Sequence, residues 1–126
     1  MKILQVVQSA YRTLVEEQDD TIIWLCENLH CAGADISVLL TGNASFYAVQ
    51  SKTQPGVRIG DWVQTQPADI TRDLANLAEF NVPVYVIKEE LAERGLLEKP
   101  LLPGVHLMDR RDLSGLYDFF DQVWQW

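Results

Sequence analysis

The chain is short of the residue types on which most small catalytic and metal-binding domains rely. It has two cysteines and two histidines in 126 residues. Two cysteines do not make a disulfide framework. The histidines, His30 and His106, show no ligand spacing with Cys26 and Cys31, so no metal site is expected. The glycine-rich loops GxGxxG and GxxxxGKS/T are absent, and with them the common dinucleotide and nucleotide-phosphate sites. No cofactor is expected. Positive charge is scarce: ten basic residues face eighteen acidic ones, a net charge of −8. Nucleic acid and anionic membranes both require a basic footprint, so neither is an expected partner. Long apolar runs are also missing. The N-terminal "MKILQVVQSAYR" is too short in its apolar part for a signal peptide or a span.

What remains is an ordinary globular composition, 48% apolar and 22% charged, long enough to bury a core in one domain spanning residues 1–126. Cys26 and Cys31 fall in one predicted helix, their side chains about 140° apart by the 3.6-residue period. They are not expected to bridge each other. Together with the missing export signal, this reads as reduced thiols in the cytoplasm.

Strand and helix alternate along the chain. "KILQVV" (2–7) reads as a strand, followed by the polar connection 9–20. Asp19 or Asp20 then caps a helix over about 20–32, with Ile22, Leu25, Cys26, Leu29 and Ala32 as its apolar stripe, and Gly33 ends it. "DISVLL" (35–40) is a second strand, running into "TGN" and a short helix near 43–50. Residues 51–67 hold either one short strand around 57–63 or loop alone. A helix over 68–80 carries Ile70, Leu74, Leu77 and Ala78. "VPVYVI" (82–87) is a strand, "KEELAERG" a short helix stopped by Gly95, and "VHLMD" (105–109) another strand. The pattern closes with a helix predicted over 112–126. Strands separated by helix-length segments and apolar on successive positions imply a three-layer αβα sandwich on a mostly parallel four- or five-stranded sheet.

In open sheets of this kind the functional cleft lies beyond the carboxyl ends of the strands. That rule selects Gln8, Ser9 and Tyr11 after the first strand, and Thr41, Gly42 and Asn43 after the second. Ile87, Lys88 and Glu89 follow the third, and Asp109, Arg110 and Arg111 the fourth. Each has a plainer reading. "TGN" could offer backbone N–H groups to an anion or be a capped turn. Lys88 beside Glu89 and Glu90 could be a depressed-pKa amine or a solvated first helical turn. Asp109-Arg110-Arg111-Asp112 could receive an anion or pair within itself. Nothing marks Ser9 as a nucleophile elbow. Cys26 lies on the apolar stripe and reads as a small buried hydrophobe. Cys31 lies near the helix C-terminus, where the dipole opposes thiolate formation. A different kind of candidate is the C-terminal "LYDFFDQVWQW". On a helix, Leu116, Phe119, Phe120 and Val123 would face the sheet, leaving Tyr117, Trp124 and Trp126 over. These, with Trp62, are candidates for an interface, or they fold back over their own core.

The order of "ILQVV", "CAGADISVLLTGN", "NVPVYVIKEELAERGL" and "LLPGVHLMDRRDLSGLYDFFDQV" resembles the DsrE/DsrF/DsrH family of sulfur-relay proteins over nearly the whole chain. The "VYVIKEELAERG" run and terminal "VWQW" look more like its DsrH/TusB-type subunits, and the spacing of the first half more like DsrE-type members. The resemblance implies an αβα sandwich and cytoplasmic assemblies, trimers or hexamers, of the chain itself or with homologous subunits. It also implies a sulfur-carrier protein as partner. In active members a cysteine just after the strand matching 82–87 carries a persulfide. Here that place, at about Val86 or Ile87, holds no cysteine. Neither isoleucine, lysine nor glutamate can take up a sulfane sulfur. Three expectations follow: a non-catalytic assembly or partner-binding subunit, a sulfurtransferase using a displaced Cys31 or Cys26, or a binder of a small anionic ligand.

Overall fold

A computed structural model describes residues 1–10, 22–49, 58–63 and 69–126. Tyr11, the expected cap at Asp19 or Asp20 and most of 51–67 lie outside them. The elements run β1 (Lys2–Val7), α1 (Ile22–Cys31), β2 (Asp35–Leu40), a 3-10 helix (Gly42–Ala48), the short β3 (Arg58–Ile59) and β4 (Trp62–Val63). Then come α2 (Ile70–Glu79), β5 (Val84–Ile87), α3 (Lys88–Glu93), β6 (Val105–Met108), a second 3-10 turn (Arg110–Asp112), α4 (Leu113–Asp118) and β7 (Gln122–Gln125). Five strands form one sheet in the order β6-β5-β2-β1-β7, every neighbouring pair parallel. The α/β sandwich on a parallel sheet that the sequence pattern implies is the fold observed.

Three of the helices stop for one reason. After α1, α2 and α3 stand Gly33, Asn81 and Gly95, each with positive φ, 97°, 58° and 67°. In each case the next residue's N–H reaches back across the last turn: Ala34 to Leu29, Val82 to Leu77, Leu96 to Leu91. Closure of the final turn through a left-handed residue satisfies carbonyls that the helix leaves open. The start of α2 is set by Asp69, whose carboxylate accepts from the Arg72 N–H at 3.1 Å.

Alternation along the strands divides the core between two faces. Val7, Ile36, Val38, Leu40, Val84 and Val86 face α1 and α2, which contribute Ile23, Cys26, Leu74 and Leu77. Leu4, Val6, Leu39 and Ile87 face α4, which contributes Leu113, Leu116 and Tyr117, with Phe120 following. On α1 the buried stripe is shifted from that expected. Ile23 and Cys26 are fully covered, Ile22 and Leu29 flank them, and Ala32 lies exposed in the turn beyond the helix end.

Two local readings are corrected. Residues 58–63 hold a two-stranded antiparallel hairpin, with Arg58 opposite Val63 and Ile59 opposite Trp62. Gly60, at φ 59°, makes its tight turn. The closing helix over 112–126 does not form as such: α4 ends at Asp118, and Gln122–Gln125 is a fifth strand paired with β1. The physical reason lies in β1. It is buried on both faces, and buried N–H and C=O groups must be paired on both sides. The run Gln-Val-Trp-Gln-Trp, rich in strand-favouring side chains, satisfies β1's second edge, which a helix could not do.

Among the described residues no helix is long and apolar enough to cross a membrane. Gly104, at φ 83°, is pressed on α2: a Cβ there would stand 2.5 Å from the Ala78 Cβ. Gly104→Ala is expected to cost about 2–4 kcal/mol from strain and overpacking together. Gly60→Ala, with positive φ but open space around it, should cost only about 1–2 kcal/mol. Urea unfolding of both variants checks this, and equal costs would contradict the close approach of Gly104 to α2.

Candidate functional site

Because all five strands are parallel, their carboxyl ends share one rim, and the segments leaving them carry most of the residues that sequence selects. Ile87, the last residue of β5, is 2% exposed and turns into the core under α4. Lys88 then opens α3 in solvent. Thr41, after β2, is buried, and its N–H donates to the Val7 carbonyl at 2.9 Å. Gly42, at φ 52°, lets the chain turn close over the Gln8 carbonyl, which with that of Thr41 accepts the Ala44 N–H. The "TGN" turn is thus held by its own backbone. Ser9 is half-buried beside it.

Asn43, Glu89 and Arg110 come together in one charge network, and three residues that the strand-end rule did not select complete it: Glu90, Glu93 and Arg94. The Arg94 guanidinium binds Glu90 at 2.6 Å and reaches Asn43 at 3.4 Å. Arg110 donates to Glu93 at 3.1 Å and lies 3.5 Å from Glu90, while its backbone N–H donates to Glu89 at 2.8 Å. That backbone hydrogen bond, before any charge, holds the Glu89 carboxyl below its usual range. The hydrogen bond to Glu93 correspondingly raises Arg110. Asp109 pairs with Arg111 at 3.3 Å, off to one side. The i, i+3 and i, i+4 spacing within "EELAER" is the sequence signal that could have found Glu90, Glu93 and Arg94, because it places all three on one helix face. Both rim arginines are already matched by carboxylates, so the network ties α3 to the turn after β6 rather than presenting free cations.

The thiols lie elsewhere. Cys26 is fully buried, and burial pushes its thiol up to about 12. It is a core hydrophobe with no thiolate at neutral pH. Cys31 is exposed, but α1 carries the chain back to the start of β2, so Cys31 sits at the amino end of the sheet, opposite the rim. At that end a cavity of about 300 Å³ opens between the ends of α1 and α2. Ile36, Val82 and Pro83 line its floor, and His30 and Asp35 its edge. Its signal in the sequence is the pair of helix stops, "AGAD" and "FNVP", each followed at once by a strand. No group of histidine, cysteine and acidic residues among the described residues could hold a metal ion.

The interface candidates separate. Tyr117 is half-buried against the sheet beside Leu116 and Phe120. Trp62 is exposed on the hairpin, Trp124 on β7 and Trp126 just after it. The Trp126 indole N–H is held by the buried Gln5 side-chain oxygen at 2.8 Å, and that of Trp124 by Gln122 at 2.9 Å.

Similarity to known proteins is found in structure alone. No protein-family model matches the chain, and no curated protein does. The crystal structure of the ychN protein from E. coli is similar, with a TM-score of 0.79 and 21% sequence identity over 99% of this chain and 98% of that one. At that identity the likeness shows the fold.

A perturbed carboxylate lies between α1 and α2. Asp73 is 5% exposed, and its nearest cation is Arg72 at 4.0 Å. Burial pushes its carboxyl up to about 6, with Arg72 pulling it back and Glu27 and Asp69 pushing it further. Because the folded value lies above the ordinary 3.8, stability from Asp73 is full below pH ~4 and is lost as pH rises through 6. Asp73→Asn should therefore stabilise the protein at pH 7.5 by about 1–3 kcal/mol and leave it unchanged near pH 4. Urea unfolding at the two pH values reads the difference, and equal effects at both would contradict a poorly solvated charge.

Proposed function

We propose that this chain is a non-catalytic member of the DsrE/DsrF/DsrH family, an assembly or partner-binding subunit of an intracellular sulfur relay. The observation that carries the reading is the turn after β5. Ile87 is committed to the core, Lys88 stands in solvent, and Glu89, Glu90 and Glu93 are engaged with Arg94 and Arg110. Sulfur relay needs a thiolate that attacks a sulfane sulfur and then yields it, and this turn offers none. The likeness in fold to the E. coli ychN protein and the order of sequence motifs support the family. The work of the chain is then to bind: itself or homologous subunits in a trimer or a dimer of trimers, and through them a sulfur-carrier protein. Its two free thiols suit the reducing cytoplasm.

The alternative, transfer from a displaced cysteine, rests on Cys31, since Cys26 is closed off by burial. A sulfur accepted at Cys31 would stand at the opposite end of the sheet from the rim. Incubation with thiosulfate or polysulfide, followed by an acceptor thiol, tests the proposal. The purified protein should transfer no sulfur above the rate of a Cys31→Ser variant. Transfer by the wild type that is lost in Cys31→Ser would overturn the non-catalytic reading.

A further inference from the structure

The two edges of the sheet are built differently. β6 begins after Pro103-Gly104 and ends in Asp109, Arg110, Arg111 and Asp112, so charge and proline bound it. β7 has no such protection: Gln122-Val-Trp-Gln-Trp carries no charged side chain, proline or bulge. Its nearest charges are spent locally. Asp121 accepts the Lys2 N–H at 2.7 Å and donates its own N–H back to the Lys2 carbonyl at 2.8 Å. The Lys2 ammonium lies over the Phe119 ring at 3.9 Å. Four large apolar side chains are left open there: Phe119 at 62%, Val123 at 40%, Trp124 at 37% and Trp126 at 43%.

Among the described residues the backbone of β7 is paired along one side, to β1. Trp126 gives its N–H to Val6 and takes the N–H of Gln8 on its carbonyl, so both its groups face β1. Backbone direction alternates along a strand, so Gln122 and Trp124 also face β1. Val123 and Gln125 then point N–H and C=O away from the sheet. These two outward residues lie symmetrically about Trp124.

We propose that β7 is a self-pairing edge, at which a second copy of this chain adds antiparallel about a two-fold axis through Trp124 and joins two sheets into one. The register follows from the outward groups. Val123 opposes Gln125 of the second copy in a hydrogen-bonded pair, and Gln125 opposes its Val123, each pair exchanging two hydrogen bonds. Trp124 faces its own equivalent in the close, non-bonded pair. The occupant is a second copy because the pattern is complementary to itself. The side chains of the strand are uncharged, so they add no side-chain repulsion between two chains of net charge −8. The Gln122–Trp124 and Gln5–Trp126 bonds hold both indoles in place beforehand. The four open side chains offer roughly 400 Å² of apolar surface per copy at ~150–250 Å² for a whole aromatic residue. That is about half of the ~800 Å² each partner buries in a standard interface, so the contact fits one joint of a larger assembly. It rests on the assembly reading above.

Sedimentation velocity at high micromolar concentration tests it on the intact chain. Gln125→Pro removes one outward donor from each copy and leaves the ladder to β1 untouched. Its weight-average mass should fall about twofold below wild type, with an unchanged circular dichroism spectrum. A wild-type assembly that Gln125→Pro leaves intact overturns the edge contact alone, while a monomeric wild type overturns it together with self-assembly. Should Gln125→Pro not fold, the reading moves to cysteine crosslinking in a Cys31→Ser background. Trp124→Cys would lie ~4.5 Å, Cα to Cα, from its equivalent, within disulfide reach, and should oxidise to a covalent dimer at least fivefold faster than Gln125→Cys. Equal rates overturn the register.

Discussion

Everything in this molecule depends on β1 being paired along both of its edges. It takes one partner from nearby in the sequence, β2, and the other from the far end, β7. Leu4 and Val6 bury one face and Val7 the other, with Gln5 closed among them. So apolar a strand cannot leave backbone groups in want of partners without a cost of about 1–3 kcal/mol each. The C-terminal segment is bound to that need: Gln5 fixes Trp126, and the Lys2–Asp121 exchange fixes where β7 begins. The Gln5 side-chain nitrogen is itself buried without a partner, a local cost accepted for holding the last tryptophan.

That constraint decides what each end and edge of the sheet is free to do. At the carboxyl rim, where parallel sheets place ligands, the segment after β5 is spent on cohesion. Ile87 fills the face under α4, and the glutamates of α3 hold the arginines at positions 94 and 110. Among the described residues the rim is nearly charge-balanced and carries no thiol. Among the described residues, half of the exposed large aromatics, Phe119, Trp124 and Trp126, lie where the sheet ends at β7.

The sequence showed most strands and two helix stops plainly because each rests on local physics: continuous apolar runs for strands buried on both faces, and glycines, Gly33 and Gly95, where a helix must close left-handed; the third stop, at Asn81, was not read. The cysteines were legible for the same reason, since helical periodicity separates a buried Cys26 from an exposed Cys31. The last strand was not. "DFFDQVWQW" carries apolar residues at spacings that suit a helix, and only the unpaired edge of β1, more than a hundred residues away, decides for a strand. The rim network was half legible. Strand ends pointed to Asn43, Glu89 and Arg110, but that Glu90 and Glu93 would neutralise the arginines depends on how α3 lies against the turn after β6. The hairpin at 58–63 is two residues a side, too short for its pattern to stand out.

The most direct measurement is amide hydrogen exchange along β7 as a function of protein concentration. Trp124 faces β1 and should be protected at every concentration. Val123 and Gln125 face outward, and the account predicts that both are protected in the concentrated protein and lose that protection on dilution, while Trp124 does not. Fast exchange of Val123 and Gln125 at all concentrations, with Trp124 still protected, would contradict the claim that this chain works through its open edge.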